Sequence, residues 1–353
     1  MRVDVVTSGE SKPLYFDVPD CIQICELLCM IGMSRCIPSW RLRVVHSARV
    51  LFRDATLAES QLRDGDLLTL VVKPASSFVL LGNAGGCVKL WDIDDGNMIR
   101  AFPGHFHDNC SRINAVAFSQ NGILALSGSA DGTARLWNTD SGDCIRCFDS
   151  KLRNQYTSDP VPVTCVGFVV NGEFRNTVLT GHGDGSIMLW SMDDMGKLLR
   201  TAWPHGNPYP YPYSRNYVTV AMLSYDGRFA FSVICSDNRL KMWSVASGMC
   251  IKYFVHHWNI DRAVLSSDGE TLVTAGSDGI TMLWDISSGN CLQTFGEGGS
   301  VSHCADLSRD GKFVIGVGCR GHEEIAVLRQ ACTGEVSRRL QDPSGAVLCD
   351  ALS

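Results

Sequence analysis

The amino-acid sequence predicts two folded parts, a small α+β domain at the N-terminus and a longer all-β region after it. Two observations lead to this prediction. Before residue 74, the apolar pattern changes from the period of a strand to that of a helix and back. From residue 78 onward, a short alternating segment with a tryptophan near its end recurs five times. The second observation covers most of the chain and determines the architecture.

The repeating unit consists of four short strands. Its third strand follows a turn, and the five copies are GGCVKLWDI, DGTARLWNT, DGSIMLWSM, DNRLKMWSV and DGITMLWDI, with Trp91, Trp137, Trp190, Trp243 and Trp284. Further alternating segments precede and follow it, as in INAVAFS, ILALSGSA and SGDCIRCF. Alternation with a period of two between Gly, Asp and Asn turns indicates β-strands. Four strands repeated about every 40–50 residues are typical of the blades of a β-propeller.

The same segments resemble the WD-repeat (WD40) family over residues 78–353. The resemblance is carried by the tryptophans, by Gly104-His105 before a strand and by the turn aspartates Asp131, Asp184, Asp237 and Asp278. It implies that a histidine, the turn aspartate, a strand Ser or Thr and the tryptophan are hydrogen-bonded to one another. His105, Asp131 and Trp137 match this set most completely.

We predict six four-stranded blades. The last repeat, HEEIAVLRQ, has Glu323 and Arg329 where Asp and Trp belong. The chain then ends in VLCDALS, which copies the first strand of a blade, whereas the segment from Phe78 begins at a second strand. We therefore expect the C-terminal strand to pair with the N-terminal blade, which closes the ring and removes exposed strand edges. Seven blades, the usual number in the resembled family, is the alternative.

Residues 1–73 predict a β-grasp order of two strands, a helix and further strands. RVDVVT and PLYFDV are typical of a hairpin. Asp20 and Gln23 have the spacing of a capping box at the start of a helix. The apolar residues that follow are spaced as the buried face of that helix; they are Ile24, Leu27, Leu28 and Ile31. The segments RLRVVH and GDLLTLVV supply the remaining strands.

The segment VLFRDATLAESQLRDGDLLTLVV, residues 50–72, resembles the ubiquitin-like family. The matching features are Asp54, Thr56-Leu57, Leu62 and Gly65-Asp66. The resemblance implies a docking domain whose sheet-face patch maps onto Val45, Thr69 and Val71. Residues 74–77 are the expected linker to the propeller at 78–353, because the chain continues there in place of the free Gly-Gly end that conjugation requires.

The composition is that of a globular protein, since 45% of the 353 residues are hydrophobic and 19% are charged. A net charge of −6 without a Lys/Arg block gives no reason to expect a nucleic-acid partner. No apolar segment resembles a signal peptide or a membrane span, so we expect a soluble, cytoplasmic protein, with the nucleus as the alternative location. The sixteen cysteines are expected to be reduced and to act as small hydrophobic side chains.

The sequence favours a non-enzymatic protein without a cofactor or a metal. It contains neither a G-x-S-x-G nucleophile elbow nor a phosphate-binding glycine loop. The cysteines that share one side of the helix lack the paired spacing of a zinc site; they are Cys21, Cys25 and Cys29. The polar residues that interrupt the apolar inner strands are His303, Asp306 and Asp350. A structural role for these three residues is favoured over a metal site on the propeller axis.

The stretch NPYPYPY, Asn207 to Tyr213, connects the outer strand of one blade to the inner strand of the next. Proline fixes φ and favours an extended path, so this stretch loses little further entropy on ordering. The resemblance to WD-repeat propellers implies that such a connection lies on the face that frequently binds partners, where its tyrosines either contact a partner or cover the blade edge. The candidate binding residues on this face are Arg112, Tyr209, Tyr211, Tyr213, Tyr217 and Trp258.

These features predict a non-catalytic scaffold or adaptor. The propeller face would bind a protein or peptide, and the ubiquitin-like module would dock a second factor. The resemblance implies ubiquitin-pathway components among the partners. An enzyme with a polar or metal site near His303 and Asp306 is one alternative. A reader of modified peptides, which needs an aromatic cage or an arginine cluster, is the other.

Overall fold

The structure analysed is a computed structural model. It describes residues 1–7, 13–47, 49–74, 78–92, 96–105, 111–119, 121–153, 159–169, 176–202, 218–224, 226–235, 237–266, 268–296, 302–308, 311–320 and 323–341. Only the backbone is described for residues 302–306, 315–320, 323–326 and 339–341. None of the helices in these ranges has the length and apolar character that a membrane-spanning helix needs.

A five-stranded mixed sheet, here called the N-terminal sheet, forms the first part together with one helix. Its elements are β1 (Arg2–Thr7), β2 (Leu14–Asp17), α1 (Ile24–Arg35), a short 3-10 helix (Ser39–Arg41), β3 (Leu42–His46), β4 (Arg49–Val50) and β5 (Leu67–Val72). The strand order is β2-β1-β5-β3-β4, with β1 and β5 parallel and the other pairs antiparallel. The structure thus has the predicted order of two strands, a helix and further strands.

Helix α1 packs the predicted apolar face against the N-terminal sheet. Ile24, Leu27, Leu28 and Ile31 are all buried there, which confirms this part of the prediction. The predicted capping box is wrong, because the helix begins at Ile24 with Gln23 as its N-cap and without a side-chain cap hydrogen bond.

Backbone carbonyls replace the missing cap of α1. The N–H groups of Ile24 and Cys25 donate at 2.9 Å to the carbonyl oxygens of Ala55 and Arg53, respectively. The neighbouring segment therefore satisfies amide groups that a capping side chain would otherwise bind.

After residue 77, the strands in the described residues form six antiparallel sheets, one with three strands and five with four. Sheet 1 contains β6 (Phe78–Gly82), β7 (Cys87–Asp92) and β8 (Met98–Pro103); sheet 2 contains β9 (Ile113–Phe118), β10 (Leu124–Ser129), β11 (Thr133–Asn138) and β12 (Cys144–Asp149). Sheet 3 contains β13 (Val163–Phe168), β14 (Thr177–His182), β15 (Ile187–Ser191) and β16 (Leu198–Ala202). Sheet 4 contains β17 (Val218–Leu223), β18 (Phe229–Ile234), β19 (Arg239–Ser244) and β20 (Cys250–Val255). Sheet 5 contains β21 (Ile260–Leu265), β22 (Thr271–Gly276), β23 (Ile280–Asp285) and β24 (Cys291–Gly296), and sheet 6 contains β25 (Ser302–Leu307), β26 (Phe313–Arg320), β27 (Glu323–Gln330) and β28 (Val336–Gln341).

The sheets follow one another as the blades of a propeller-like fold. From sheet 2 to sheet 6, the first strand of each sheet contacts the first strand of the next, so these strands are the inner ones. In sheet 1, β6 corresponds to a second strand, as predicted. The C-terminal strand expected to complete sheet 1 lies in residues 342–353, outside the described residues. Ring closure and the choice between six and seven blades therefore stay predictions.

The sheets are joined by one aromatic contact that recurs between neighbours. In sheets 1, 2 and 4 the fifth residue of the fourth strand is a phenylalanine that meets the tryptophan of the next sheet, with ring centroids 5.9 Å apart for Phe102–Trp137, 5.8 Å for Phe148–Trp190 and 5.8 Å for Phe254–Trp284. In sheet 3 this residue is Ala202, which belongs to one apolar cluster with Trp243. Sheet 6 has Arg329 in place of tryptophan, and its guanidinium lies 6.0 Å from the ring centroid of Phe295. A contact between a cation and an aromatic ring thus replaces the aromatic pair at this position.

A second repeated contact joins the outer edges of the sheets. The third residue of a fourth strand donates to a backbone carbonyl in the turn before the fourth strand of the next sheet. The hydrogen bonds are Arg100 to Ser141 at 3.0 Å, Arg146 to Met192 at 3.4 Å, Lys252 to Ser287 at 2.6 Å and Gln293 to Cys332 at 3.2 Å. These bonds satisfy turn carbonyls that lie beyond the strand ladders.

The propeller has two distinct faces. The turns between second and third strands lie on one face with the segments that lead into first strands, because Ala130 donates to the carbonyl of Arg112 at 2.8 Å and Gly183 to that of Pro162 at 2.9 Å. We call this the top face. The bottom face carries the turns between first and second strands and between third and fourth strands.

The N-terminal sheet is attached to the bottom face through the loop around Trp40. The Trp40 ring is buried, with its centroid 4.5 Å from that of Phe78 and 6.1 Å from that of Phe118. Beside it, the Ser39 N–H donates to Asp140 at 2.8 Å and the Ser39 hydroxyl donates to the same carboxylate at 2.7 Å. The loop is thereby inserted between sheets 1 and 2.

A buried carboxylate completes the attachment. Asp92, at the end of β7, accepts hydrogen bonds from Arg43 at 3.2 Å and from Lys73 at 2.8 Å. Both cations come from the N-terminal part, and a buried acid of this kind is tolerated because it is paired and hydrogen-bonded. The predicted boundary after residue 73 and the linker 74–77 stay predictions, and residues 75–77 lie outside the described residues.

Replacing Trp40 with alanine is expected to lower the free energy of unfolding by about 3–5 kcal/mol, because a packed aromatic ring is removed between the N-terminal sheet and sheets 1 and 2. Chemical denaturation followed by circular dichroism measures the change. Trp258→Ala is the matched control, since its side chain is 64% exposed, and it should cost less than about 0.5 kcal/mol. Equal stability of the two variants would contradict the role assigned to Trp40.

Candidate functional site

The top face is held in shape by a buried hydrogen-bond network in sheet 2. His105 Nδ1 lies 2.9 Å from Asp131 Oδ2, and His105 Nε2 lies 2.7 Å from the hydroxyl of Ser127. The indole of Trp137 donates to the same hydroxyl at 2.9 Å. Burial raises the pKa of Asp131, but hydrogen bonds from His105 and Thr133 outweigh this effect and leave the pKa below its usual value. The network ties the segment before β9 to the turn between β10 and β11.

The corresponding tryptophans of the other sheets have different partners. Trp190 and Trp284 each donate at 2.9 Å, to the hydroxyls of Thr180 and Thr274 respectively. In the described part of the chain, the indole nitrogens of Trp91 and Trp243 are buried and have no hydrogen-bond partner. The repeated tryptophan therefore serves mainly to pack in the core, and whether its indole nitrogen is hydrogen-bonded differs from sheet to sheet.

The predicted turn aspartates accept hydrogen bonds from backbone N–H groups two residues later. These bonds are Asp184 to Ser186 at 3.0 Å, Asp237 to Arg239 at 3.1 Å and Asp278 to Ile280 at 3.1 Å. Asp131 does the same with Thr133 at 2.8 Å. The aspartates thus stabilise the tight turns that form the top face.

Two buried histidines were missed by the sequence reasoning. The Nε2 atom of His182 lies 2.9 Å from the hydroxyl of Thr180, and His182 is the last residue of β14 in the same sheet. His256 precedes β21, and its Nδ1 accepts a hydrogen bond from the N–H of Trp258 at 3.4 Å. Burial lowers the pKa of both imidazoles. The Gly181-His182 pair was the available signal for the first of them, because it repeats the Gly-His pair before β9.

Two of the predicted binding residues are placed on the top face. Arg112 is exposed directly before β9, and Trp258 is exposed shortly before β21. They belong to sheets 2 and 5, so each marks a separate part of the rim. Tyr209, Tyr211, Tyr213 and Tyr217 lie outside the described residues, and their role stays a prediction.

An axial channel of about 630 Å³ opens between the inner strands. Its wall consists mainly of small and aliphatic side chains, among them Ala115, Val166 and Ala263. Arg262 also lines the channel and is exposed to it. In the strand ladder, Arg262 of β21 pairs with Ala275 of β22. The neighbouring pair, Ile260 with Gly276, lies at the top end of β21. A cation therefore lies near the top mouth of a channel whose accessible lining is more polar than apolar.

Arg262 is a candidate binding residue that the sequence reasoning missed. The available signal was the segment IDRAVL, in which two charged residues stand within an inner strand. His303 and Asp306, which the sequence did single out, lie on β25, but their side chains are outside the described residues, as is all of Asp350. In the part of the chain that the structure describes, His, Cys, Asp and Glu side chains form no cluster of three or more that could hold a metal ion.

The exposed face of the N-terminal sheet carries the second predicted patch. The strand registers align Val6, Thr69, Val45 and Val50 in one row across β1, β5, β3 and β4. Thr69 and Val71 are exposed and Val45 is half-buried. The three predicted residues thus lie side by side on one sheet face, where Leu67 adds a further exposed apolar side chain.

Comparison with known proteins identifies the repeats. Residues 96–138, 144–191 and 248–285 match the WD domain, G-beta repeat family, so these three stretches are WD40 repeats. The matches include Trp137, Trp190 and Trp284, which the sequence pattern had aligned.

Several curated proteins share part of this sequence. The chain is 26% identical to the nuclear distribution protein nudF of Aspergillus niger, over 46% of the chain and 35% of that protein. It is 28% identical to a guanine nucleotide-binding protein subunit beta of Nicotiana plumbaginifolia, over 37% of the chain and 35% of that protein. It is 24% identical to eukaryotic translation initiation factor 3 subunit I of Drosophila melanogaster, over 60% of the chain and 61% of that protein. The chain spans less than two thirds of each relative, and their names differ, so they do not specify one activity.

Trp137→Phe is expected to destabilise the protein more than Trp243→Phe by about 1–2 kcal/mol, because only the first substitution removes a buried hydrogen bond. Both substitutions replace the same indole with the same smaller ring at equivalent positions, with Phe102 as the neighbour of Trp137 and Ala202 in the cluster around Trp243. Thermal and chemical unfolding of the two variants measure the difference. A larger loss for Trp243→Phe would contradict the importance of the Ser127 network.

Acid is expected to destabilise the protein through His182. Burial lowers the pKa of this imidazole from 6.5 to about 4, although the nearby Asp184 acts in the opposite direction. Between these values the unfolded chain binds more protons than the folded one, so the free energy of unfolding falls as the pH falls and levels off below about pH 4.

The test is the pH dependence of the denaturation midpoint. His182→Asn should flatten the slope between pH 6.5 and 4 more than His257→Asn, at an exposed histidine whose charge acts on His256. An identical slope in both variants would contradict this assignment.

Proposed function

We propose that the protein is a non-catalytic adaptor that holds two binding surfaces on one rigid body. The top face of the propeller-like part binds a protein or peptide, and the exposed face of the N-terminal sheet docks a second factor. WD40 proteins generally act as protein-interaction scaffolds, which supports this class of function. Assignment to a particular assembly goes beyond what the relatives share.

The observation that carries the proposal is the position of the attachment. The Trp40 loop contacts the bottom face, where Asp140 accepts hydrogen bonds from Ser39. Beside it, Asp92 accepts hydrogen bonds from Arg43 and Lys73. The top face and the patch of Val45, Thr69 and Val71 are therefore both left accessible. One molecule can bind two partners at the same time without moving its two parts.

The chemistry of the top face favours a peptide with aromatic or acidic side chains. Trp258 offers an exposed indole, and Arg112 and Arg262 offer guanidinium groups at the rim and at the channel mouth. Interfaces concentrate binding energy on tryptophan, tyrosine and arginine side chains. The Pro-Tyr stretch Asn207 to Tyr213 would extend this surface along the same connection type that carries Trp258.

We infer that residues 1–73 are a ubiquitin-like docking domain. The order β2-β1-β5-β3-β4, with α1 packed against one sheet face, supports this inference. The apolar row on the opposite face supplies the surface that such a domain would use. Binding of ubiquitin-pathway components belongs to the same proposal.

The proposal is tested by affinity capture with three variants of the full chain. Replacing Tyr209, Tyr211 and Tyr213 with serine should remove a partner bound by the top face. Val71→Asp should remove a different partner, because it places a charge in the apolar patch of the N-terminal sheet. Quantitative mass spectrometry of the captured proteins compares each variant with the unmodified chain.

The control for these variants is Tyr253→Ser, at an exposed tyrosine of the outer strand β20, which should leave both partners bound. Equal melting temperatures establish that all variants are folded. If the top-face variant and Val71→Asp lose the same partners, the two surfaces are not independent and the adaptor proposal is wrong. If neither loses any partner, both surfaces are excluded as binding sites.

A further inference from the structure

The protein contains its own example of a loop bound at the bottom face. Trp40 is inserted between sheets 1 and 2, where its ring meets Phe78 edge-on. A Cβ added at Gly122, in the turn between β9 and β10, would lie only 3.5 Å from the Trp40 ring. The indole therefore fills a groove formed by the start of a second strand in one sheet and two turns of the next.

The corresponding groove between sheets 4 and 5 is an open cavity of about 540 Å³. Counting from the tryptophans and turn glycines, most residues around Trp40 have an equivalent in this groove; the exception is Phe118, whose equivalent Leu265 does not line it. Phe229 corresponds to Phe78, Ile251 to Ile99, Gly269 to Gly122 and Ser287 to Asp140. A Cβ added at Gly269 would meet no atom within 4 Å, whereas Gly122 lies against the indole.

The backbone around the two grooves is also the same. Gly122 donates to the carbonyl of Ser119 at 2.8 Å, Gly269 donates to that of Ser266 at 3.0 Å, and both glycines have φ +74. Lys252 donates to the turn of sheet 5 as Arg100 donates to that of sheet 2. The groove between sheets 4 and 5 therefore has the same backbone conformation at its turn as the groove between sheets 1 and 2 that Trp40 fills.

The charged side chains at this groove indicate which residues would accompany the tryptophan. Glu270 is exposed at its rim and Asp285 lines it, together with one cation, Lys252, whose ammonium group donates to the carbonyls of Ile286 and Ser287. Hydrogen bonds from the Ser288 N–H and the Ser287 hydroxyl lower the pKa of Asp285 to about 2, so this carboxylate is charged at neutral pH. The loop that fills the first groove has the sequence IPSWRLR, in which arginines follow the tryptophan.

We propose that the groove between sheets 4 and 5 is a docking site for a tryptophan of a partner protein that is followed by basic residues. The indole would pack against Phe229 and Ile251, and the basic residues would lie beside Glu270 and Asp285. This surface is on the bottom face, so it is distinct from the two surfaces assigned above.

The groove between sheets 5 and 6 provides an internal comparison. It is a cavity of about 620 Å³ with Leu292 at the position of Ile251. Lys312 stands there at the position of Glu270. Because its rim carries a cation at that point, the same basic segment should be disfavoured there.

The test measures binding of a fluorescein-labelled peptide, IPSWRLR, to the full chain by fluorescence anisotropy. The peptide should bind with a stoichiometry near one, and IPSARLR should bind at least about tenfold more weakly because the aromatic anchor is absent. Ile251→Glu should weaken binding at least about tenfold, since it places a charge where the indole packs. Glu270→Lys should weaken binding about three- to tenfold, and this effect should shrink at high salt.

Two variants at equivalent positions of other sheets test whether the effect is specific to the groove between sheets 4 and 5. Ile145→Glu, at the equivalent exposed residue of sheet 2, and Leu292→Glu, in the groove between sheets 5 and 6, should leave the affinity unchanged. Equal melting temperatures of all variants establish folding. Absence of peptide binding, equal binding of both peptides, or loss of binding in Leu292→Glu but not in Ile251→Glu would each overturn the proposal. Self-association of the chain that Ile251→Glu abolishes, without peptide binding, would assign the groove to a second copy and overturn it as well.

Discussion

The architecture depends on the contact between the phenylalanine of one sheet and the tryptophan of the next. A four-stranded sheet in a ring has two apolar faces, and each must be buried against a neighbour. The wedge between sheets widens away from the axis, so large rings belong at the outer positions and small side chains such as Ala115 at the inner ones. Phe148 against Trp190 shows the rule, and Arg329 over Phe295 shows that a planar cation can replace the indole.

The two faces of the propeller-like part are stabilised in different ways. The top face is stabilised from within, by the network of His105, Asp131 and Ser127, so its loops are free to present side chains outward. The bottom face is stabilised partly from outside, because the Trp40 loop fills one of its grooves. Attachment of the N-terminal sheet at that place determines which surfaces remain for partners.

Local patterns in the sequence predicted the strands, the aligned tryptophans and the buried face of α1, since alternation and helical spacing follow directly from side-chain burial. They could not predict contacts between residues far apart in the chain. The cap of α1 is an example, because the carbonyls of Arg53 and Ala55 replace the expected side chain. Insertion of Trp40 beside Phe78 is another, since no spacing rule relates a loop of one domain to a groove of the next. Arg262 was overlooked because a single charge in an inner strand carries no periodic signal.

The origin of His182 has a consequence for how this chain tolerates change. In sheet 2 the histidine of the network comes from the segment that precedes the sheet, so that segment has a fixed path and length. In sheet 3 the end of strand β14 supplies the histidine from within the sheet. The connection between β12 and β13 is therefore released from this task. Its described ends still hold sheet 3 in place, since Val161 donates to the carbonyl of Leu152 at 3.2 Å and Gly183 donates to that of Pro162 at 2.9 Å. A change of length in this connection would therefore act through these backbone contacts and leave the position of the histidine unaffected.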